Sequence, residues 1–460
     1  MGIPMGWNGV LLVGLCLVLL AGAARAEQPC SLSGFAGAEV GRSAVRDAAL
    51  NPEGGFTRAM SSAAAYGELN GGCVGEAAKL HFNVFGERLE TFGDSGSAQE
   101  NDGYENRGLV REAYISLTPH ESLFIDIGKK DIRNGQFFFV SPLDFLQAPS
   151  NYSGRGAVNA LGVSWRDTYR EGAIVAQLSW FNQMGTLELA VLPQLANPSH
   201  KQRVAEWTTL QRTNSAERYY LSYSSSIFED FNPRVVLVGG ESYAFGIGAS
   251  GFINDDWILN VEFSVGEESR VRTLDRAALE KLQSFQLPTA EDFFKEQDQD
   301  RFYQFGAGLR YTTDNNTAIS LDYLYQNQGW HQQDWDNYFD TLDLLEGAYQ
   351  ATAMNLFRDY QLLFVQEADN MARRDLLPGR NYLMLHLDDN EAELRSLSWE
   401  SSTIYNIEDR SFALNLHLSS QLTRNFEVYL GGGYLDGPDN SEFGRLGNSG
   451  VGYAGVRAIW

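Results

Sequence analysis

The sequence predicts an all-β chain closed into a transmembrane antiparallel β-barrel of about 16 to 18 strands with long external loops. Three observations carry this expectation. Many segments of about nine to eleven residues alternate apolar and polar side chains with a period of two, the length of a tilted strand crossing a bilayer. Aromatics, among them Trp165, Trp180, Trp257, Tyr303, Tyr311 and Tyr325, stand at the ends of the apolar faces, where interfacial girdles belong. Beyond residue 26 there is no stretch of eighteen apolar residues that could cross a membrane as a helix.

The chain has 460 residues, with 59 acidic against 35 basic side chains and a net charge of −24. That balance argues against a nucleic-acid partner, which needs a basic footprint. Residues 1–26 read as a secretory signal peptide: an apolar stretch of about a dozen residues, then small residues ending in Ala24-Arg25-Ala26. Residues 27–460 are then the barrel. With Cys16 in the signal, Cys30 and Cys73 remain, and an even pair in an exported chain reads as one disulfide.

The strands follow in order. Ile115, Leu117, Leu123, Ile125 and Ile127 mark one pair. Over 256–266, Trp257, Leu259, Val261, Phe263 and Val265 share a face opposite Asn260, Glu262 and Ser264. Tyr303, Phe305, Ala307, Leu309 and Tyr311 repeat the pattern, as do Thr317, Ile319, Leu321, Tyr323 and Tyr325, then Phe412, Leu414, Leu416 and Leu418. Short connections at 252–255, 313–316 and 421–425 contrast with long ones at 267–301, 327–380 and 436–450. Before about residue 235 this alternation is ambiguous. Residues 342–365 have helical character inside one long connection.

The final segment VGYAGVRAIW places Ala454, Val456, Ala458 and Trp460 on one face and ends on the aromatic. With Tyr453, these residues resemble the terminal recognition signal of Gram-negative outer-membrane barrels, which implies the barrel-assembly machinery as a partner. Residues 108–146 combine Arg111-Glu112-Ala113-Tyr114, a short turn, a strand ending Gly128-Lys129-Lys130, then Asn134-Gly135 and Ser141-Pro142-Leu143-Asp144-Phe145-Leu146. This stretch resembles Gram-negative outer-membrane β-barrel proteins of the porin and alginate-export type. It departs from them where Asn134 replaces the Trp of a Trp-Gly pair and Ser141 the Asn of an Asn-Pro pair.

The resemblance implies that residues 131–151 fold inward and narrow a pore. The segment's own residues agree, since 136–140 do not alternate and Pro142 ends ladder pairing. Pore-lining candidates are Arg111, Asp126, Lys129, Lys130, Asp131, Arg133 and Asp144. Arg107, Arg111, Lys129 and Arg133 are expected on one side, with Glu112, Asp126 and Asp144 opposite, giving a transverse field. A one-residue slip would invert every face.

Asp334, Asp336, Asp340 and Asp343 lie among aromatics without the spacing of a calcium loop, so no metal site is assigned. No Gly-x-Ser-x-Gly element accompanies the six histidines, no phosphate loop or zinc spacing occurs, and no catalytic residue or cofactor is expected. The sequence thus points to an integral Gram-negative outer-membrane channel for polar or charged small solutes, in contact with outer-membrane lipid and lipopolysaccharide. It leaves open a monomer or a homotrimer, an exit port of an export system, and, less favoured, an outer-membrane hydrolase. The acidic surplus favours cation entry.

Overall fold

The computed structural model describes residues 30–45, 59–75, 77–93, 103–146, 171–199, 207–267, 271–284, 286, 288, 293–296, 301–315, 317–373, 377–389, 397–445 and 448–460. The expected signal peptide, Trp165 and residues 147–151 of the expected constriction lie outside them.

The strands are β1 (Cys30–Val45), β2 (Ala59–Val74), β3 (Ala78–Gly93), β4 (Gly103–His120), β5 (Leu123–Lys130), β6 (Ala173–Asn182), β7 (Gly185–Leu192), β8 (Arg218–Ser225), β9 (Phe231–Gly240), β10 (Ala244–Phe252) and β11 (Trp257–Gly266). A small hairpin, β12 (Arg272–Leu274) and β13 (Phe294–Glu296), stands apart. Then come β14 (Phe302–Thr312), β15 (Thr317–Gln326), β16 (Asn381–Asp389), β17 (Leu397–Asn406), β18 (Ser411–Thr423), β19 (Phe426–Asp436) and β20 (Asn448–Ile459). All but the small hairpin belong to one 18-stranded sheet in which each strand pairs antiparallel with its sequence neighbours. The sheet closes because β1 pairs both β2 and β20, with Val40 opposite Ala63 on one side and Ala454 on the other. Eighteen is the upper end of the expected range. Closure leaves no strand edge for lipid to strand without hydrogen bonds.

The wall is inverted relative to a water-soluble sheet. On β11, Leu259 and Val261 are 44% and 37% exposed, while Glu262 and Ser264 are 1% and 0% exposed. Apolar groups left outside and polar groups turned inside make physical sense only when the outer solvent is hydrocarbon. Trp257 stacks on Tyr311 at one end of this band, and Tyr303 packs near Tyr325 at the other. The eight residue steps between the two levels span roughly 26 Å along the strand, or about 20 Å vertically at the usual tilt, in keeping with a bilayer core.

The two rims differ. Connections 121–122, 183–184, 226–230, 253–256, 313–316 and 424–425 share one rim, and 131–172, 193–217, 267–301, 327–380 and 437–447 share the other. Strict antiparallel order thereby settles the parity that the sequence left unclear before residue 235. Two expectations need correction. β1 to β4 run 16 to 18 residues rather than nine to eleven, extending the wall past the membrane band. The 421–425 turn is shorter than expected, since β18 continues to Thr423.

The long loops carry their own core. Helix α1 (Thr209–Thr213) lies between β7 and β8, and α2 (Arg276–Gln283) between β12 and β13. Between β15 and β16 stand α3 (Gln332–Thr352) and α4 (Asn355–Arg373), broken at Ala353, whose φ of 53° is left-handed. Thus the helical character expected at 342–365 belongs to two helices. Trp330, Trp335, Tyr338, Phe339, Leu342 and Phe364 are buried there against Phe293 and Phe294. Arg445 of α5 (Glu442–Arg445) chelates Asp343 at 2.7 and 3.0 Å and lies over the Phe339 ring. Of the four expected loop aspartates, Asp343 and Asp340 therefore serve loop-to-loop contacts, Asp340 accepting from Asn440 at 3.1 Å.

Candidate functional site: the lumen and its inward segment

β5 ends at Lys130, and the next sixteen residues form no strand. The run 136–140 does not alternate, with four apolar residues in succession from Phe137, and Pro142 cannot donate to a ladder, so the chain leaves the wall here. Over residues 131–146 it turns into the lumen, and the opposite wall holds it. The Gln136 N–H donates to Glu262 Oε1 at 2.7 Å, and Ser141 Oγ donates to the other oxygen of the same carboxylate. The Phe138 N–H donates to Asp322 Oδ2 at 3.3 Å, and its ring stacks on His386 at 3.5 Å. Arg234 donates to the Asn134 carbonyl at 2.6 Å.

Glycines on the lumen face provide the seats. A Cβ on Gly306 or Gly308 would lie 2.7 Å from the Phe137 ring, and one on Gly246 or Gly248 would lie 2.4 or 2.7 Å from Leu143. Only the bare backbone of β10 and β14 lets the segment come this close. Leu143, Phe145 and Leu146 pack on Val175, Val236 and Val238, and Phe139 and Val140 pack against a second inner cluster containing Leu324, Tyr382, Met384 and Phe443. One side of the lumen is therefore filled with apolar groups.

The other side stays polar. A cavity of about 450 Å³ is lined by Asn83, Arg111, Glu112, Lys130, Asp131, Ile132, Arg133, Gln177 and Glu188. A second, of about 490 Å³, lies along β8 to β11 and shares Asn134, Gln136 and Leu143 with the segment. Four of the expected pore residues, Arg111, Lys130, Asp131 and Arg133, thus meet in one cavity. Arg111 gets there through a bulge: the β3–β4 register shifts after Asn83, making Arg111 an extra residue whose guanidinium reaches Glu68 at 3.4 Å. Lys130 pairs with Asp126 and lies 5.3 Å from the centre of the Tyr114 ring. Arg133 pairs with Asp131 at 2.6 Å.

The expected transverse field is not what the geometry forms. Cations and carboxylates alternate as neighbouring pairs along one bank instead of facing each other across the lumen. Register also moves Lys129. It stands on the face of Ile125 and Ile127, which point outward, and is buried against Glu171 at 2.7 Å, with Arg212 holding the other Glu171 oxygen at 2.9 Å. Asp144 is 3% exposed and accepts the N–H groups of Asn134 and Gly135, both at 2.9 Å, so it shapes the segment and does not line a pore. No side-chain position is described for Arg107. At the last strand, Val456 and Trp460 are exposed outward, but Tyr453 points inward and packs with His417 and Tyr429; it does not belong to the outer face of the terminal signal. The Cys30–Cys73 disulfide joins directly opposed positions of β1 and β2.

Sequence reasoning missed Glu262, Asp322 and Gln177 as segment- or cavity-facing groups. A signal existed for the first two: Gly246/Gly248 and Gly306/Gly308 leave bare lumen-face positions on strands next to these acids. Outside the strands, burial and the neighbouring Asp409 push the Glu442 carboxyl well above its ordinary range, and Tyr382 and Asn406 donate to it at 2.6 and 2.7 Å.

Together, the inverted wall, the aromatic levels and the inward segment define a transmembrane barrel of the outer-membrane type. Neither a protein-family model nor a curated protein matches the sequence. Among solved structures, the chain is similar to Pseudomonas aeruginosa OccK5 (OpdH) at 9% identity, covering 94% of this chain and 97% of that one with a TM-score of 0.49. It is similar to P. aeruginosa OccK7 (OpdD) at 10% identity, with coverages of 95% and 99% and a TM-score of 0.49. Acinetobacter baumannii OccAB3 matches at 10% identity, with coverages of 94% and 99% and a TM-score of 0.46. The barrel assignment rests on the strand register of this chain, and no solute is taken from these likenesses.

Proposed function

We propose that the protein is an integral Gram-negative outer-membrane channel through which polar or charged small solutes diffuse passively. The observation that carries this reading is the segment 131–146, which crosses the lumen and is clamped by Glu262 and Asp322 while a charged bank stays open beside it. Such a segment narrows an aqueous path without sealing it, and the paired charges of the bank give the path its selectivity. In this reading outer-membrane lipid and lipopolysaccharide surround the wall, and the outward face of Ala454, Val456, Ala458 and Trp460 meets the assembly machinery. Reconstitution of the purified full chain in a planar bilayer tests the function. Discrete conductance steps in potassium chloride are expected, and a barrel that stays silent across many insertions overturns the proposal.

A further inference from the structure

The bank beside the segment contains buried oxygens that lack donors. Asn83 and Gln177, 8% and 3% exposed, line the 450 Å³ cavity, and Asp126, 7% exposed, stands directly opposite Gln177 across the β5–β6 ladder. The Asn83 amide nitrogen donates to Glu68 at 2.8 Å and that of Gln177 to Glu188 at 3.3 Å. Each carboxylate fixes the orientation of its amide, because only the NH₂ end can donate to it. The carbonyl ends are therefore turned away from those partners, and Asn83 Oδ1, Gln177 Oε1 and Asp126 Oδ1 are all buried without a hydrogen-bond partner. No donor of this bank is among the buried unpartnered atoms.

Buried polar groups normally find partners, and an acceptor left alone is costly. Asp126 and Gln177 are opposed on neighbouring strands, and two such acceptors with no lone donor beside them define the complement: a group rich in N–H donors. Charge points the same way. Arg111, Lys130 and Arg133 each have a carboxylate of their own in Glu68, Asp126 and Asp131. Among the described residues, neither Glu112 nor Glu188 has a Lys or Arg nitrogen within 4 Å; Glu112 meets His81 at 3.2 Å and accepts the Asp131 N–H at 3.1 Å, and Glu188 meets the Gln177 amide. Two carboxylates are thus left over. The cavity volume is that of a site for a small organic molecule, about 300–1,000 Å³.

We infer that this bank is a binding subsite for the ammonium or guanidinium end of an organic cation, with Asp126 and Gln177 accepting its N–H groups and Glu188 supplying the counter-charge. The inference deepens the channel reading and rests on it for its role in transport, but binding is measurable separately.

The experiment uses the full chain purified in detergent and three probes: agmatine, which carries guanidinium and ammonium without a carboxylate; tetramethylammonium, a cation without N–H donors; and glutarate, a dianion. Calorimetric titration is expected to give agmatine binding at least tenfold tighter than either control. Gln177→Leu removes one acceptor without changing charge and should weaken agmatine at least tenfold. Gln177→Lys supplies an ammonium from the wall itself and should abolish binding in a barrel that keeps its fold, which guards against a Leu variant that fails to assemble. Equal binding of tetramethylammonium, preference for glutarate, or unchanged agmatine affinity in both variants overturns the subsite. Conductance without agmatine binding removes the subsite and leaves the channel; binding by a barrel that is silent in bilayers does the reverse.

Discussion

The backbone N–H of Gln136 and the carboxylate of Glu262, 126 positions apart in the chain, are joined by a hydrogen bond of 2.7 Å across the barrel interior. The same side chain also holds Ser141 and, at 3.4 Å, the Leu143 N–H, so one residue of β11 pins both ends of the turn in the inward segment. The clamp is buried, and each buried hydrogen bond to a charged group contributes about 1.5–3 kcal/mol.

Replacing that carboxylate is expected to release the segment. Glu262→Ala should raise single-channel conductance about twofold or more and increase open-channel noise, because Phe138 and its neighbours no longer keep one path across the lumen. Single-channel recording checks this. An unchanged conductance with unchanged noise would show that the packing of Leu143 and Phe137 holds the segment unaided.

Arg133 and Lys129 should behave differently although both lie near the end of one strand. Arg133 is half exposed to the cavity, so Arg133→Glu is expected to raise the cation-over-anion permeability ratio about threefold or more. Lys129 faces outward in a buried triad. Lys129→Met should leave the ratio unchanged and cost stability by about 2–3 kcal/mol, below the usual 3–5 for a broken buried pair because Arg212 still holds Glu171. Reversal potentials in a salt gradient and urea unfolding in detergent separate the two effects.

Glu442 sets a pH dependence of the α5 loop. Its carboxyl is held well above the ordinary 4.5 by burial, so the folded state keeps the proton that the unfolded state releases. The sign follows: no penalty exists below about pH 4.5, and stability falls as pH rises from there toward the elevated folded value. The wild-type melting temperature is expected to decline as pH rises above about 4.5, and Glu442→Gln to flatten that decline. A variant whose melting curve tracks the wild type at every pH would place the dependence elsewhere.

The disulfide closes a separation of 43 residues between β1 and β2. Chain-entropy reasoning puts its effect at about 3–4 kcal/mol, less whatever order the unfolded hairpin retains. Cys30→Ser/Cys73→Ser should lower the melting temperature without altering conductance, since both positions lie at the short-turn end away from the inward segment. Parallel melting and bilayer measurements check both halves.

The sequence alone settled which residues face lipid and which face the lumen over much of the wall. A period of two admits only two answers, and an apolar face ending in Trp257 and Tyr311 selects one. It also marked the departure of the chain from the wall after Lys130 and brought Arg111, Lys130, Asp131 and Arg133 forward together, because all of these are local patterns along one stretch. The direction of Lys129, the pairing of each charge and the inward turn of Tyr453 were decided only in three dimensions. They depend on bulges, strand register and partners such as Glu171 and Glu68 that lie tens of residues away, and local periodicity carries no information about which strand lies opposite. The unpartnered oxygens of Asn83 and Gln177 belong to the same class: each amide is ordinary in its own strand, and only the closed barrel brings both residues to the lining of one cavity.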